Sequence, residues 1–435
     1  MKIWLTILII FIGLQSKADL TGTYGFGSTT AALAGANRAR SYDGFTMEKN
    51  PALMSESGSR TSYGLLGSQS YFDGISNVVV DNTYIGGKRT VGSVDTKISD
   101  TFNFLFGSVW AIGKSTHNYR LGAAFSIPVD KFAEGTTKDT YEPQYAMYMS
   151  DSQRVTLSVG GSATLVPSLN LGLGAVYYMQ QGATLISRMP LDGGAGNPHT
   201  STINFKDTAK PSLAAIVGMA WDIDENDTVA LNYVGVRDQK LTTYADNQIG
   251  FINSGNVPLD LTTTASIFYD PEVWSLGYVR QLGATDLNFA VECERWSKFS
   301  GANAHISFIT LTPQLTQYPE DTSYHDIWVP RIGISTPGFG GTVRAGYAYR
   351  PSPTPALNGQ TNFVDSDRHI LAMGYGFPSK LFGMLEDAVQ IETHVQGQYL
   401  VPKDVLKDDP NSIGAPGYKV RGFVVSYGLN INVGI

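Results

Sequence analysis

The chain has 435 residues, a formal net charge of -7, only 16% charged residues, 47 glycines, 23 tyrosines and one cysteine, Cys293. The mild negative balance and the lack of a Lys/Arg run give no footing for nucleic-acid binding, and a lone cysteine excludes an internal disulfide framework. Ordinary globular domains carry about 25% charged residues; a chain this poor in charge and rich in glycine and aromatics fits a transmembrane β-barrel, whose apolar outside and polar inside average to neutral hydropathy.

Met1-Lys2, an apolar run from Ile3 to Leu14 and then Ser16-Lys17-Ala18 make the charged, apolar and small-x-small parts of a secretory signal peptide over residues 1–18, cleaved after Ala18. The run is shorter than the roughly 20 residues needed to span a bilayer. Residues 19–58 come next and do not alternate. Their stretch "STTAALAGANRARSYDGFTMEKNPALM" offers a short Ala-rich helix and a turn at Asn50-Pro51, where Pro fixes φ and the Asn side chain can bond nearby backbone. About forty residues are too many for a frayed end in a compact protein. Irregular backbone is tolerated at membrane depth where it is buried in protein or meets water, so the expected home is the lumen of a barrel; the plainer alternative is a surface turn.

From residue 59 to 435 the period is two. In the last segment Phe423, Val425, Tyr427, Leu429, Ile431, Val433 and Ile435 alternate with Val424, Ser426, Gly428, Asn430, Asn432 and Gly434, the rhythm of a strand with one face in lipid and the other in a polar interior. The rhythm recurs in about fourteen expected strands, at 60–80, 97–111, 119–129, 153–165, 169–179, 212–221, 228–236, 273–281, 286–294, 329–336, 342–349, 369–377, 388–399 and 420–435. Connections alternate in length. "IGKSTHN", "VPS", "DIDEND", "LGAT" and "PGFGG" are tight, whereas 180–211, 237–272, 295–328 and 350–368 are long, which places short turns in the periplasm and long loops outside. Trp110, Tyr177, Trp221, Tyr233, Trp274, Tyr278, Tyr349 and Tyr399 fall near strand ends, where interfacial aromatic girdles belong.

Strand parity turns Cys293 to lipid and turns Glu292, Glu294, Arg331, Arg344, Glu392 and His394 inward. Opposite charges on neighbouring strands would pair and hold a plug; the rival role for Arg331 or Arg344 is to meet a substrate carboxylate. Trp296 and Phe299, at the top of a strand, suit either the girdle or an entrance groove. Asp365, Asp367 and Arg368 could order a loop through a salt bridge, and they lack the Gly and distal Glu of a calcium loop. The six histidines have no zinc spacing, and no Ser, His and acidic set nominates a triad. Neither a metal, a cofactor nor an enzymatic activity is expected.

Several of these stretches resemble one family. "ALAGANRARSYDGFTMEKNPALM", "RLGAAFSIPVD", "ECERWSKF" and "RAGYAYRPSPTP" followed by "DSDRH" are similar, in order and spacing, to segments of the FadL-type outer-membrane transporters of hydrophobic compounds. The resemblance implies a monomeric barrel in the outer-membrane lipid, closed by an N-terminal hatch containing Phe45, Asn50, Pro51 and Ala52. Its cargo would be long-chain fatty acids or other hydrophobic small molecules, moving passively. The resemblance also implies an inward kink of the third strand that opens the wall sideways, here within residues 119–128 and involving Gly122 and Pro128. The competing expectation is a porin-like channel for small polar solutes. An outer-membrane lipase or an adhesin barrel fits less well, and the discriminating feature is whether residues 19–58 fill the lumen.

Overall fold

A computed structural model of the chain describes residues 23–56, 58–81, 90–94, 96, 101–113, 118–129, 143, 145, 148, 155–178, 184–192, 198–209, 212–251, 255–258, 261–299, 305–308, 323–359, 362–380 and 389–434. The signal peptide lies outside them. Among the described residues no helix is long and apolar enough to cross a membrane.

Fourteen antiparallel strands close into one barrel. In chain order they are β1 (Arg60–Phe72), β2 (Thr101–Ala111), β3 (Arg120–Pro128), β4 (Thr156–Val166), β5 (Leu169–Tyr178), β6 (Ser212–Asp222) and β7 (Asp227–Val234). The ring continues through β8 (Glu272–Leu282), β9 (Thr285–Arg295), β10 (Ile327–Gly338), β11 (Gly341–Arg350), β12 (Arg368–Ser379), β13 (Val389–Leu406) and β14 (Gly417–Gly434). Each pairs with its sequence neighbours, and β14 returns to β1 in an unbroken register from Arg60↔Gly434 to Phe72↔Gly422. Closure removes every edge, so no backbone amide of the ring has to face lipid unpaired.

Alternation decides which way each side chain points. On β6, Leu213 is 70% exposed while its neighbour Ala214 is 6% exposed, and Ala215, Val217 and Trp221 follow Leu213 outward. In water each exposed Leu would forgo about 1.5–3 kcal/mol of burial; against acyl chains the same face is at home. Trp110, Tyr177, Trp221, Trp274 and Tyr399 are exposed at the strand ends, and Tyr233 and Tyr278 are half-buried beside them.

The strands differ from the expected set at the extracellular end. The stretch expected as one strand over 60–80 breaks at Asp73-Gly74, and Ile75–Asp81 turns away to pair with Thr90–Val94. Asp73 marks the break: its N–H bonds the carbonyl of Arg421 and its carboxylate pairs with the Arg421 guanidinium. Strands β13 and β14 run past their expected ends to Leu406 and from Gly417, so this hairpin rises above the rim. The long connections hold a second sheet, in the order His305–Phe308, Leu261–Asp270, Arg237–Phe251, Pro198–Ala209, Thr184–Asp192, with Gly255–Pro258 paired to Arg237–Phe251. Strands outside the membrane have no lipid to face, so they lack the apolar half of the pattern that betrays the barrel strands.

Candidate functional site: the filled lumen

The N-terminal segment contains two short helices, α1 (Ser28–Ala32) and α2 (Thr46–Lys49), and a 3-10 turn over Pro51–Glu56. Local chemistry fixes its shape. Gly27 precedes α1 with φ 90 and Gly35 follows with φ 78, backbone that side chains resist. Asp43 accepts from the Phe45 N–H and from Lys49 Nζ, each at 3.0 Å, making an ion pair inside the segment that is sealed from water on both sides. Asn50 accepts from the Ala52 N–H at 3.1 Å, an Asx turn, and Pro51 opens the 3-10 turn where its missing N–H costs nothing.

This segment touches all fourteen strands. It meets β1 where Ser62 Oγ accepts from the Gly44 N–H, β2 at Gly107 under Phe45, β3 at Gly122 under Met54, and β4 where Ser55 bonds Ser162 at 2.9 Å. Pro51 lies on Gly172 of β5, and Asn50 lies on Gly218 of β6 while donating to the Leu231 carbonyl of β7 at 3.3 Å. Arg38 covers Gly277 of β8 and pairs with Glu292 of β9, and Ala34 accepts from Arg331 of β10. Leu33 lies on Gly346 of β11 and Ala32 on Gly374 of β12; Gln396 of β13 donates to Ala31, and Ser28 reaches Asn430 of β14. A segment in contact with every strand of a closed ring can only be inside it. At Gly172 and Gly346 an added Cβ would collide with the segment's own backbone, at Pro51 and at Leu33.

The inward charges gather on one side. Arg331 holds Glu292 through Nε at 2.9 Å and Nη2 at 2.6 Å, while Arg38 of the segment pairs with the other carboxylate oxygen at 2.5 Å. Arg331 also donates to the Ala34 carbonyl at 2.7 Å. Below them Tyr42 donates to Asp286 at 2.8 Å, with Arg40 at 3.7 Å from the same oxygen. Arg344 pairs with Glu392, and its guanidinium lies 5.5 Å from the centre of the Tyr42 ring. Glu294 is held by Arg350 at 2.7 and 3.1 Å and by the Trp296 indole at 2.7 Å. Each of these buried carboxylates has a guanidinium partner, and a buried charge left alone costs several kcal/mol.

The opposite side is apolar and narrow-walled. Met47 and Met54, both fully buried, pack with Val109, Val176, Ala214 and Ile216 and lie over Gly122, Gly160 and Gly174. Strand β3 is paired from Arg120↔Ala111 to Pro128↔Asn103 with β2 and from Arg120↔Ser162 to Ser126↔Thr156 with β4, without a shift of register. The wall at β3 is closed in this state, and Gly122 faces the methionines.

Phe45, Asn50, Pro51 and Ala52 are all fully buried, and Phe45 rests 5.3 Å from the ring of Phe26. Glu292, Glu294, Arg344 and Glu392 are buried and Arg331 nearly so. His394 is buried beside Gly374 and Gly428, with neither ring nitrogen bonded among the described residues. Trp296 and Phe299 are neither in the outer girdle nor on an open groove: they turn inward and pack against Tyr269, Tyr324 and Phe363. In the connection between β3 and β4, burial lifts the Tyr148 phenol above its usual range and pushes that of Tyr145 up to about 12, so both stay protonated. Arg350 and Asp286 were missed, although Arg350 shares the parity of Arg344 and Asp286 that of Glu292. Nothing local in the sequence marked Met47, Met54, Gly160 or Gly174, whereas Gly122 belongs to the expected wall opening. No cluster of metal-binding side chains occurs among the described residues.

A fourteen-stranded outer-membrane barrel occupied by its own N-terminal segment is the class of protein that this fold and lumen define. Residues 20–422 match the family described as outer membrane protein transport protein (OMPP1/FadL/TodX), and the chain belongs to that family. Among solved structures it is similar to a Pseudomonas aeruginosa FadL homologue, with TM-score 0.63 and 14% identity over 94% of this chain and 98% of the other. It also resembles the Ralstonia pickettii toluene transporter TbuX, with TM-score 0.53 and 16% identity over 94% and 98% of the two chains. The P. putida toluene transporter TodX gives TM-score 0.52 and 15% identity over 95% and 99%. Such identities show a shared fold. No relative among curated proteins matches the chain.

Proposed function

We propose that the protein is a monomeric, passive outer-membrane channel for hydrophobic compounds, with residues 19–58 acting as a movable hatch. The cargo on this reading is long-chain fatty acids or other hydrophobic small molecules, a reading supported by the likeness to proteins described as toluene transporters. The observation that carries this reading is the contact of one segment with all fourteen strands. A polar solute needs a water-filled path along the axis, and such a plug stands in it. An apolar solute gains nothing from water and is served by a greasy surface and a sideways exit into lipid.

On this reading the exit lies at β3. Its ladder to β4 is short, its inward face at Gly122 is covered by Met54 and Met47, and Leu121 on its outer face meets lipid. Movement of the stretch from Phe45 to Glu56 would uncover this part of the wall. The test is deletion of residues 19–57 followed by reconstitution in planar bilayers. The expected outcome is a rise in conductance and in passage of small hydrophilic solutes. Unchanged conductance would remove the hatch and favour a porin-like channel.

A further inference from the structure

Above the hatch, at the extracellular end of the lumen, two buried charged groups have bonding capacity that nothing among the described residues satisfies. Asp365 is fully buried, and neither carboxylate oxygen has a hydrogen-bond partner; its nearest cation, Arg350 Nη1, stands 3.6 Å away. Arg368 is 2% exposed, bonds Tyr148 and, at 3.5 Å, Gln398, and leaves Nε open with no carboxylate in ion-pair range among the described residues. Arg368 is the cross-strand partner of Arg350, which reaches Asp365, and the Tyr148 that it bonds belongs to the same buried cluster as Tyr24. Buried acceptors and donors are almost always satisfied, so an open carboxylate and an open guanidinium three residues apart, both beside Arg350, point to a ligand's polar end. The same place borders a large apolar cluster, in which Tyr24 and Tyr148 pack with Phe26, Val364 and Leu400.

We infer that this is a head-group site for a neutral hydrophobe bearing a hydroxyl, such as a medium-chain alcohol or an alkylphenol, whose O–H donates to Asp365 and whose oxygen accepts from Arg368. Charge selects against a carboxylate head. Arg350 stands between Glu294 and Asp365, and Arg368 is its cross-strand partner, so two positive charges accompany two negative ones before any ligand arrives. A carboxylate accepts but cannot donate, and it would leave Asp365 beside a second negative charge in a dry setting. A hydroxyl meets both needs and disturbs neither.

This inference rests on the uptake reading and narrows its cargo. The experiment measures equilibrium binding of radiolabelled 1-decanol and decanoate to the full-length protein in nanodiscs at pH 8, with empty nanodiscs subtracted. The expected result is saturable decanol binding at least about tenfold tighter than decanoate, and an Asp365→Asn variant shifted toward decanoate by about tenfold, since it turns a balanced cluster into a positive one. Decanoate affinity equal to or above that of decanol in the unaltered protein, or saturable binding of neither, would overturn the site. The comparison in the unaltered protein stands even if the variant fails to fold. The conductance and the passage of small hydrophilic solutes read in the hatch-deletion experiment do not depend on this outcome, so the two readings fail separately.

Discussion

The lumen grips one segment with two unlike surfaces. On strands β9 and β10 the polar contacts are ionic, beside Leu33 on Gly333 and Gly346: Arg38 and Arg331 share Glu292, Arg40 and Tyr42 meet Asp286, and Ala34 caps Arg331. Across the barrel, on β3 to β6, the contacts are methionine, proline and alanine laid on bare glycine backbone, with the Ser55–Ser162 bond as a polar stitch. The difference is one of replaceability. Separating a buried ion pair leaves charges that no greasy cargo can satisfy, whereas an apolar solute of similar bulk can stand in for the side chain of Met47 or Met54 when either one moves away. Under the proposed hatch movement, the ionic side would be the fixed edge and the glycine side the moving edge.

The largest effect is expected at the fixed edge. Glu292→Ala strands Arg38 and Arg331 without a counter-charge and should cost roughly 3–5 kcal/mol, read as a lower unfolding midpoint of the detergent-extracted barrel. A loss below about 1 kcal/mol, the range of an exposed pair, would mean that water reaches these charges. Next comes Met54→Ala at the moving edge, which removes buried atoms from over Gly122 and should cost roughly 2–5 kcal/mol while quickening passage of apolar solutes into liposomes. Slower passage would put the route elsewhere. The smallest is Gly172→Val, which pushes on the Pro51 backbone and should cost roughly 1–3 kcal/mol with a rise in leak of small hydrophilic solutes. Gly397→Val, where nothing lies within 4 Å of the added carbon, is the matched control and should leave the leak unchanged.

Much of the wall could be read from parity alone, because lipid on one side forces the period of two. Fourteen strands, their tight periplasmic turns and the inward aim of Glu292, Glu294, Arg331 and Arg344 follow from that one constraint. Where lipid ends, the reading fails: the break at Asp73-Gly74 and the extracellular sheet from Thr184 to Phe308 lie outside the bilayer and carry no such pattern. The lumen was only half legible for a different reason. Asn50-Pro51 announces a turn, but a glycine within a strand reads as a weak point or a bulge. That Gly122, Gly160, Gly172 and Gly174 together make a bed for the N-terminal segment is visible only once that segment is in place. Arg38 and Arg40 sit in a segment without periodicity, so their partners could not be named in advance.

The proposed division of the lumen into fixed and moving edges is tested most directly by two engineered disulfides in a Cys293→Ser background. One joins Ser55→Cys to Ser162→Cys, whose hydroxyl oxygens are 2.9 Å apart. The other joins Leu33→Cys to Gly333→Cys, where a Cβ built on the glycine lies 3.3 Å from that of Leu33, close to the roughly 3.5–4.5 Å of a natural bridge. Uptake of toluene into proteoliposomes is then followed before and after reduction. The expected result is that the oxidised 55–162 bridge stops uptake until it is reduced, while the 33–333 bridge leaves uptake intact. Equal transport through both oxidised proteins, or arrest by the 33–333 bridge alone, would contradict it.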